Sequence, residues 1–363
     1  MENLVMMKQA VNAQFWNGKK VFVTGHTGFK GGWLSLWLAS MGAKVTGYGL
    51  SPNTNPNLYN VLDIPSVIEK SYIADIRDFI GLQKAMLDSD PEIIIHMAAQ
   101  PLVRYSYQNP VETYAVNVMG TVHLLEAARH LHSARATVVV TTDKCYENKE
   151  WVWGYRENDQ LGGFDPYSNS KGCAELVASA YRQSYFSNQN NTHHVATARA
   201  GNVIGGGDWS EDRLIPDAIK AFEGNSALRI RNPRATRPWQ HVLEPLSGYL
   251  ILLQHLYEAD GSYASAWNFG PADADNRAVQ EVVELVISKW NSPAEWQLEK
   301  SEHLHEANFL KLDCSKANRN LGWHPRWNLE LAIEKLVQWH YACLQGENMR
   351  EFSLSQINQY VSE

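Results

Sequence analysis

The stretch Lys20-Val-Phe-Val-Thr-Gly-His-Thr-Gly-Phe-Lys-Gly31 decides the fold of this chain. It opens with a β-rich run, and the apolar residues from Gly28 to Met41 then follow at helical spacing. Glycines between a strand and a helix allow a tight turn and let the backbone approach a pyrophosphate, whose charge meets the helix N-terminus. The pattern predicts dinucleotide binding, although an ordinary glycine-rich turn would give a similar sequence. The residues concerned are Gly25, Thr27, Gly28, Phe29, Lys30 and Gly31.

Strands and helices alternate through the next part of the chain. Helices are expected at 109–130 and from Pro166 onward, and further β-rich runs predict strands at Lys44–Tyr48, Tyr72–Asp75, Glu92–Ala98, Thr137–Thr141 and His194–Ala198. This alternation is typical of an α/β fold, here a Rossmann-type doubly wound parallel sheet with helices on both faces.

The pattern changes after about residue 199, where glycine, tryptophan and proline occur in irregular stretches. We therefore predict a Rossmann domain over 1–198 that binds the nucleotide cofactor and also receives 237–257. A smaller, mainly C-terminal α/β lobe over 199–236 and 258–363 is expected to bind the substrate.

Composition limits the possible functions. The chain has 363 residues, of which 44% are hydrophobic and 20% charged, as in a soluble globular protein. The net charge of −7 argues against nucleic-acid binding through a general basic field. No apolar run approaches the roughly 20 residues that span a bilayer, and the first residues lack the features of a signal peptide, so we expect a cytoplasmic protein. The cysteines, at 145, 173, 314 and 343, are scattered and predict no metal site.

The end of the second strand bears on the choice of cofactor. Tyr48-Gly-Leu-Ser51 contains no carboxylate for a ribose diol, and no Lys or Arg occurs between Gly47 and Glu69. NADP needs a cation for its additional phosphate, so the absence of one from this stretch favours NAD.

Further candidate cofactor contacts lie near strand ends, and each has a simpler structural alternative. Asp75 and Ile76 follow the third strand, where an adenine would lie, but an Asp there also caps helices. Ala98 and Ala99 end the fourth strand, where small side chains either admit a cofactor or simply pack. Asn117 lies within a predicted helix that Asn disfavours, so it either bends the helix, holds a water or faces solvent.

Tyr167 and Lys171 are the candidate catalytic pair. They follow Asp165-Pro166, an N-cap and first-turn combination, so both side chains are expected on one helix face, one turn apart. The ammonium should lower the pKa of the phenol, which could then take a proton from a sugar hydroxyl while hydride leaves the same carbon. Taken alone, the pair also fits a solvated helix face.

The run Thr141-Thr-Asp-Lys144 closes the predicted fifth strand. The carboxyl edge of such a sheet is where ligands bind, although Thr and Asp are also common in turns. Because the glycine turn and Tyr167 belong to the same sheet, we predict that this edge faces the substrate.

Together these residues resemble the extended short-chain dehydrogenase/reductase family over nearly the whole chain. The motifs concerned are Thr24–Gly31, Asp75–Asp78, His96–Ala99, Asn117–Thr121 and Tyr167-x-x-x-Lys171. Thr142-Asp-Lys144 is similar to the catalytic Thr, followed by an acid and a base, of sugar-nucleotide 4,6-dehydratases. The Lys at the third position of this run resembles that of the dehydratases of this group that act on CDP-glucose. The resemblance to the same group of enzymes extends to Gly201–Trp209, Arg237–His241 and His305–Asp313.

The resemblance implies a dehydration without net oxidation of the substrate. Bound NAD takes hydride from C4 with Tyr167 as base, Lys171 holds the nicotinamide ribose, and Thr142 hydrogen-bonds the C4 oxygen. A base then removes the C5 proton, Asp143 protonates the leaving C6 hydroxyl, and hydride returns to C6. Lys144 is either that base in its neutral form or a charged group that stabilises the enolate, and we expect it to be the base.

The resemblance also implies substrate contacts and a partner. Arg237 is expected at the pyrophosphate, where a bidentate contact would supply a local cation; the alternative is an ordinary surface charge. A homodimer is expected through the helices at 109–130 and 166–186, and no metal is implied. The substrate-binding residues implied are Gln100, Arg104, Asn202, Arg213, Arg237, His305 and Glu306.

Two other functions fit part of the pattern. A sugar-nucleotide 4-epimerase shares Tyr167 and Lys171 but has no use for an acid and a base beside Thr142. A non-catalytic NAD-sensing regulator would be free to lose either member of the catalytic pair, and both are present. The dehydratase is therefore the leading hypothesis.

Overall fold

The computed structural model of the chain describes residues 10–187, 192–259, 261–291, 293–299 and 308–363. Its strands are β1 (Lys20–Thr24), β2 (Lys44–Gly49), β3 (Lys70–Ile73), β4 (Ile93–His96), β5 (Ala136–Val140), β6 (His194–Ala200), β7 (Asn202–Ile204), β8 (Leu228–Ile230), β9 (Thr236–His241), β10 (Ala266–Phe269), β11 (Asn276–Ala278) and β12 (Trp296–Leu298).

The helices follow in the same chain order. They are α1 (Ala13–Trp16), α2 (Phe29–Ser40), α3 (Leu58–Val61), α4 (Phe79–Ser89), α5 (Val103–Gln108), α6 (Pro110–Tyr114), α7 (Gly120–Ala128), α8 (Pro166–Tyr185), α9 (Leu214–Glu223), α10 (Leu243–Glu258), α11 (Val279–Lys289), α12 (Ser315–Asn320), α13 (Leu329–Leu344) and α14 (Met349–Ser362). Short 3₁₀ turns lie at Ile64–Ser66, Asp143–Cys145 and Asp273–Asp275, and a π-helical turn joins α6 to α7 at Ala115–Met119.

Within the described residues, seven strands form one parallel sheet in the order β10-β6-β5-β4-β1-β2-β3. Its central strands β4 and β5 are buried along their whole length, which explains their continuous apolar sequences. Helices α4, α7 and α8 contribute to the core on one face of the sheet, and α2 and α10 to the core on the other. This arrangement confirms the predicted Rossmann-type doubly wound fold.

The helix that carries the candidate catalytic pair begins where its sequence predicts. The Asp165 side chain accepts a hydrogen bond from the Ser168 N–H, and Pro166 occupies the first turn, where its missing N–H removes no intrahelical bond. Helix α8 buries the face that includes Tyr167, Lys171 and Glu175.

Two predicted elements differ in detail from the structure. The third strand lies at 70–73 rather than 72–75, because Lys70 pairs with Thr46 and Ile73 with Gly49 along the edge of β2. The helix predicted at 109–130 is interrupted by the π-helical turn, which contains Asn117.

The C-terminal part of the chain builds a smaller lobe and also returns to the large sheet. Sheets β11-β9-β7 and β12-β8 belong to the lobe, whose core includes residues of α9, α11 and α13. The range 237–257 is divided, since β9 pairs in the lobe whereas α10 packs on β5 and β6. Strand β10, within the range assigned to the lobe from the sequence, pairs with β6 at the edge of the large sheet. Backbone pairing of this kind leaves no local signal in the sequence.

Candidate active site

The ends of β1 and β4 are locked together at the carboxyl edge of the sheet. The Thr24 hydroxyl lies 2.7 Å from the His96 Nδ1 and accepts hydrogen bonds of 3.1 Å from the N–H groups of Met97 and Ala98. Burial lowers the pKa of His96 to about 3, and the charge of Lys171 acts in the same direction, so the imidazole is neutral. The backbone at Ala98 is thereby held against the glycine turn.

The glycine turn is tight on its inner side and open at the start of the helix. Gly25 has φ +76, and a Cβ there would lie 2.8 Å from the Ala98 nitrogen, while a Cβ on Gly31 would clash with the Gly25 carbonyl. Gly28, the N-cap of α2, is exposed, and a Cβ on it would meet nothing closer than the Gly25 oxygen at 3.4 Å. These residues fit a pyrophosphate at a helix N-terminus.

The side chains around this turn have separate structural contacts. The Thr27 hydroxyl donates to the Leu50 carbonyl at 2.8 Å, which ties the turn to the end of β2. The Phe29 ring packs beside Gly205, where an added Cβ would lie 3.2 Å from it. The interpretation of these residues as cofactor contacts stays a prediction.

Asp75 is held by an arginine rather than by a helix. Its carboxylate accepts from the Arg77 Nε at 2.9 and 3.0 Å and from the Nη2 at 2.6 Å, and these bonds lower the pKa of Asp75. Within the run Asp75–Asp78 the helix-capping alternative is confirmed for Asp78, the N-cap of α4, whose side chain accepts from the Gly81 N–H, and not for Asp75. Ile76 is buried and lies against Gly120.

Asn117 connects the loop after β4 to helix α8. Its Oδ1 accepts from the Gln100 N–H at 2.8 Å, and its Nδ2 donates to the Gln100 carbonyl at 3.0 Å and to the Ser170 hydroxyl at 2.9 Å. It is 1% exposed, which rules out the solvent-facing alternative. The Gln100 side chain is itself occupied, because it donates to Thr113 and accepts from the Leu102 N–H. Ala99 lies in this loop, half-buried.

Tyr167, Lys171 and Thr142 come together where β5 ends. The Thr142 side chain acts to lower the pKa of the Tyr167 phenol, and the Lys171 ammonium donates to the Val140 carbonyl at 3.2 Å. Both members of the candidate catalytic pair are buried, at 9% and 7% exposure, so the solvated-face alternative is wrong.

The pKa of the phenol differs from the expectation based on its neighbour. Burial raises the pKa of Tyr167 to about 12, while Thr142 and the charge of Arg213 act to lower it. The Lys171 ammonium is directed to the backbone of β5, where it donates to the Val140 carbonyl, and burial lowers the pKa of Lys171 itself to about 8. Helical spacing alone cannot predict such a balance between desolvation and charge.

Asp143 is a buried carboxyl, and its two oxygens differ in their hydrogen bonding. The Thr142 hydroxyl donates to its Oδ1 at 2.9 Å, whereas Oδ2 has no hydrogen-bond partner among the described residues. Burial raises the pKa of Asp143, and Lys144, Thr142 and Arg237 oppose that rise. A raised pKa shifts a carboxyl toward its protonated form, which is the form that a general acid requires. Lys144 follows in the same 3₁₀ turn, half-buried.

Cations converge on this edge from the glycine turn and from the lobe. Burial lowers the pKa of Lys30 to about 7, and the charges of Arg213 and Lys171 act in the same direction. Arg213 also pairs with Asp208 at 3.2 Å. Arg237 on β9 is 6% exposed, so the surface-charge alternative is wrong. Mutually repelling cations of this kind indicate a site for an anionic ligand.

A carboxylate joins two more arginines, one on α5 and one after β8. Asp212 lies 2.9 Å from Arg104 on α5 and 3.9 Å from Arg231, which follows β8. Asp212 has φ +58, a left-handed conformation that is uncommon for a non-glycine residue. Asn202 begins β7 and is half-buried. His305 and Glu306, predicted to bind the substrate, lie outside the described residues.

The sequence interpretation missed a buried ion pair directly behind this cluster. Glu175 and Arg199 are each 3% exposed and lie 2.9 Å apart, and neither was a candidate. The available signal was the regular spacing of Tyr167, Lys171 and Glu175 along α8, which places the glutamate on the same face.

The described residues contain neither a membrane-spanning helix nor a cluster of metal ligands. They contain no helix that is both long and apolar enough to cross a membrane. In the same part of the chain, no group of three or more His, Cys, Asp or Glu side chains is arranged to hold a metal ion.

Comparisons with known proteins find relatives along nearly the whole chain. The family model described as GDP-mannose 4,6 dehydratase matches residues 22–336. A CDP-glucose 4,6-dehydratase from Salmonella typhimurium is 55% identical over 355 residues, which cover 97% of this chain and 99% of the relative.

Solved structures share the fold at low identity. A dTDP-glucose 4,6-dehydratase from Bacillus anthracis, in complex with NAD, superposes with a TM-score of 0.74 at 22% identity, covering 90% of this chain and 98% of its own. An epimerase from Methanothermobacter thermautotrophicus has a TM-score of 0.81 at 21% identity, covering 96% and 99%.

Proposed function

The chain belongs to the GDP-mannose 4,6-dehydratase family, and from that premise we propose that it is a lyase converting CDP-glucose to CDP-4-keto-6-deoxyglucose. The Salmonella relative, 55% identical over 97% of this chain, supports CDP-glucose as the substrate. The same matches confirm the resemblance to the extended short-chain dehydrogenase/reductase family.

The observation that carries the proposal is the arrangement of Thr142 and Asp143 at the end of β5. The Thr142 hydroxyl donates to one Asp143 oxygen, and the same side chain acts to lower the pKa of the Tyr167 phenol, so a base for oxidation and an acid for elimination flank one residue. A 4-epimerase needs the first function but has no use for a buried acid beside it. A dehydratase needs both.

NAD is the cofactor of the proposed reaction. The turn between β1 and α2 fits its pyrophosphate, because Gly28 is exposed at the N-terminus of a long helix and Gly25 and Gly31 admit no side chain. When bound, NAD supplies a reversible hydride acceptor, so the sugar can be oxidised at C4 and reduced at C6 in one catalytic cycle. Ala98 and Ala99, half-buried after β4, are proposed cofactor contacts beside this turn.

Oxidation at C4 depends on a proton leaving the C4 hydroxyl. Thr142 hydrogen-bonds that oxygen, and Tyr167 takes its proton. The buried phenol has a pKa of about 12, so the protonated form predominates at neutral pH before substrate binds. Proton loss therefore requires stabilisation of the phenolate in the complex, and the nearby charge of Arg213 can contribute to it.

Elimination removes the C5 proton and the C6 hydroxyl as water. The C4 ketone acidifies C5–H, Lys144 in its neutral form takes that proton, and Asp143 protonates the leaving oxygen through its free Oδ2. The raised pKa of Asp143 acts in the direction that this step requires. The alternative role of Lys144, a charged group that stabilises the enolate, predicts that another group takes the C5 proton.

The diphosphate of the substrate is bound by arginines of the lobe and of α5. Arg237 and Arg213 act electrostatically on Asp143 and Tyr167 respectively, which supports their placement beside the sugar end of a bound nucleotide. Arg104 also faces this cleft, where it pairs with Asp212. Planar guanidinium groups suit bidentate phosphate contacts. Asn202, His305 and Glu306 remain proposed contacts on the basis of the family resemblance.

A substrate panel tests the proposal. Purified protein with NAD is incubated separately with CDP-, dTDP-, UDP- and GDP-glucose, and the product is identified by NMR and by the alkaline ultraviolet band of a 4-keto sugar. We expect a 4-keto-6-deoxy product, formed fastest from CDP-glucose. Formation of a CDP-hexose with the C4 configuration inverted and no loss of water would instead establish an epimerase, and absence of turnover with every donor would favour an NAD-binding regulator.

A homodimer is proposed as the working form. Val111 on α6 and Leu176 on α8 are 83% and 59% exposed, and both helices belong to the pair predicted to meet a second copy. Leu176→Glu should shift the sedimenting species from dimer to monomer. Ile80→Glu, on α4 and 78% exposed, is the matched control and should leave the dimer intact. Equal sedimentation of both variants with the wild type would contradict this interface. A cytoplasmic location stays a prediction, consistent with the use of NAD and a nucleotide sugar.

A further inference from the structure

Glu175 is a buried carboxylate one helical turn beyond Lys171. It accepts hydrogen bonds from the hydroxyls of Thr141 and Thr197 and, at 2.9 Å each, from the Arg199 Nε and Nη2. At 3% exposure the carboxylate has little contact with water. Four donors on one carboxylate fix its position firmly and stabilise its charged form.

The same pair links several elements behind the candidate active site. The Arg199 Nη1 donates to the Tyr146 hydroxyl at 2.7 Å and to the Glu157 carbonyl at 3.1 Å, and the Tyr146 hydroxyl donates to Asn268 at 2.7 Å. Apolar residues of similar volume often stabilise a fold at least as well as a buried ion pair. A need for fold stability alone therefore does not explain why charges lie at this position.

The pair contacts the catalytic elements at two points. Thr141, which donates to Glu175, directly precedes Thr142 in the chain, and Lys171 donates to the carbonyl of Val140, the residue before Thr141. Two residues of α8 thus hold the end of β5 at successive positions, Lys171 at Val140 and Glu175 at Thr141. A loss of the Glu175 contacts would free the strand end that positions Thr142.

Several charged or titratable groups face Lys171 from different elements. Burial lowers its pKa to about 8, while Glu175 on the same helix and Cys145 from the turn after β5 act to raise the pKa. Lys30 from α2 and His96 from β4 both have their own pKa lowered by the Lys171 charge, so neither can stabilise the ammonium. The thiol of Cys145 is kept neutral by burial, which raises its pKa well above the ordinary value. Glu175 therefore supplies the stabilising negative charge within this set.

We propose that Glu175 is a positioning residue that keeps Lys171 protonated and holds the end of β5, so that Thr142 and Tyr167 stay together. The functional part of this inference rests on the proposed dehydratase reaction, in which a charged Lys171 acts beside Tyr167. The protonation of Lys171 by itself does not require that reaction.

The test is the titration of Lys171 in the substrate-free protein. Lysine carrying ¹³C at Cε is incorporated, and the Lys171 signal is assigned from the spectrum of Lys171→Met. In Glu175→Gln, the midpoint of Lys171 titration should fall by at least about one pH unit, the lower end of what a neighbouring opposite charge produces. Glu175→Asp keeps the charge and should restore the midpoint even where turnover is reduced.

A matched control separates charge from hydrogen bonding. Thr197→Val removes one hydrogen bond to the same carboxylate, lies on β6 and leaves the charge in place, so the Lys171 midpoint should not move. If Glu175→Gln does not fold, the double variant Glu175→Gln/Arg199→Gln removes the unpaired arginine charge as well and should show a smaller downward shift. An unchanged Lys171 midpoint in a folded charge-removing variant overturns the proposal.

Turnover then provides the second measurement. With CDP-glucose, the high-pH limb of the kcat profile should move to lower pH in Glu175→Gln by the same amount as the NMR midpoint. A shifted midpoint in a protein that turns over no nucleotide sugar would refute the proposed function while the charge relation stands. If Glu175→Gln turns over CDP-glucose with both the Lys171 titration midpoint and the high-pH limb of the kcat profile unmoved, the role of Glu175 is refuted and the proposed function is not.

Discussion

The substitution Asp143→Asn should separate the two halves of the reaction. In the structure Thr142 donates to the Oδ1 of Asp143, and an asparagine can keep that contact through its own carbonyl oxygen. The free Oδ2 is replaced by an amide nitrogen, which has no proton to give to a leaving hydroxyl at neutral pH. Oxidation at C4 should therefore continue, while loss of the C6 hydroxyl is impaired.

The size of the effect follows from the role of the carboxyl. A positioned general acid contributes about 10²- to 10⁴-fold to the step it serves, which corresponds to about 3–5 kcal/mol of activation free energy. Asp143 is 1% exposed, so water reaches the site poorly as a replacement acid and the upper part of this range is expected. Its raised pKa also predicts that elimination in the wild type slows as pH rises through that pKa, because the acid form is lost.

Rapid mixing of the holoenzyme with CDP-glucose gives the assay. In Asp143→Asn the near-ultraviolet absorbance of reduced nicotinamide should rise at close to the wild-type rate and then persist, while ¹H NMR shows the 6-deoxy product forming at least about 100-fold more slowly. Asp88→Asn, an exposed carboxylate on α4, is the control and should behave as wild type. Product formation by Asp143→Asn within a few-fold of wild type would refute the assignment of the acid.

Three further predictions concern other residues. Lys144→Met should still show the absorbance of reduced nicotinamide but lose solvent exchange at C5 by about 100-fold or more, and near-normal product formation would remove Lys144 as the base. Glu244 is fully buried, and burial raises its pKa from 4.5 to about 7. The free energy of unfolding measured in urea should therefore fall by about 3 kcal/mol as pH rises through this interval. Glu244→Gln should abolish that fall, and an equal fall in the variant would contradict the assignment. Asp212→Asn should release Arg104 and Arg231 to bind the diphosphate. An exposed ion pair is worth about 0.2–1 kcal/mol, so calorimetry should show CDP binding a few-fold more tightly to the variant. Unchanged or weaker CDP binding would contradict this prediction.

Local signals predicted much of the fold because the decisive interactions are themselves local. The strand–turn–helix at Lys20–Gly31 and the capped start of α8 at Asp165 both lie where the sequence placed them. Capping, helical spacing and the need for glycine at positive φ act over a few residues, so one stretch of chain contains the whole cause.

The remaining features depend on contacts between distant parts of the chain. The pairing of β10 with β6, the pKa of Tyr167 and the Glu175–Arg199 pair are set by elements that converge only in the folded protein. Sequence spacing showed that Tyr167 and Lys171 share a helix face, but not that the Lys171 ammonium is directed to the Val140 carbonyl. Electrostatic effects in a buried site depend on such directions, which is why the predicted sign of the Tyr167 shift was wrong.

The measurement that bears most directly on the account follows deuterium from C4 of CDP-glucose. If Tyr167, Thr142 and Asp143 serve one enclosed redox cycle, NMR and mass spectrometry will find the label in the C6 methyl group of the same product molecule, with a solvent-derived hydrogen at C5. Release of the label to water, or its retention at C4 of a sugar that has not lost water, would contradict the account.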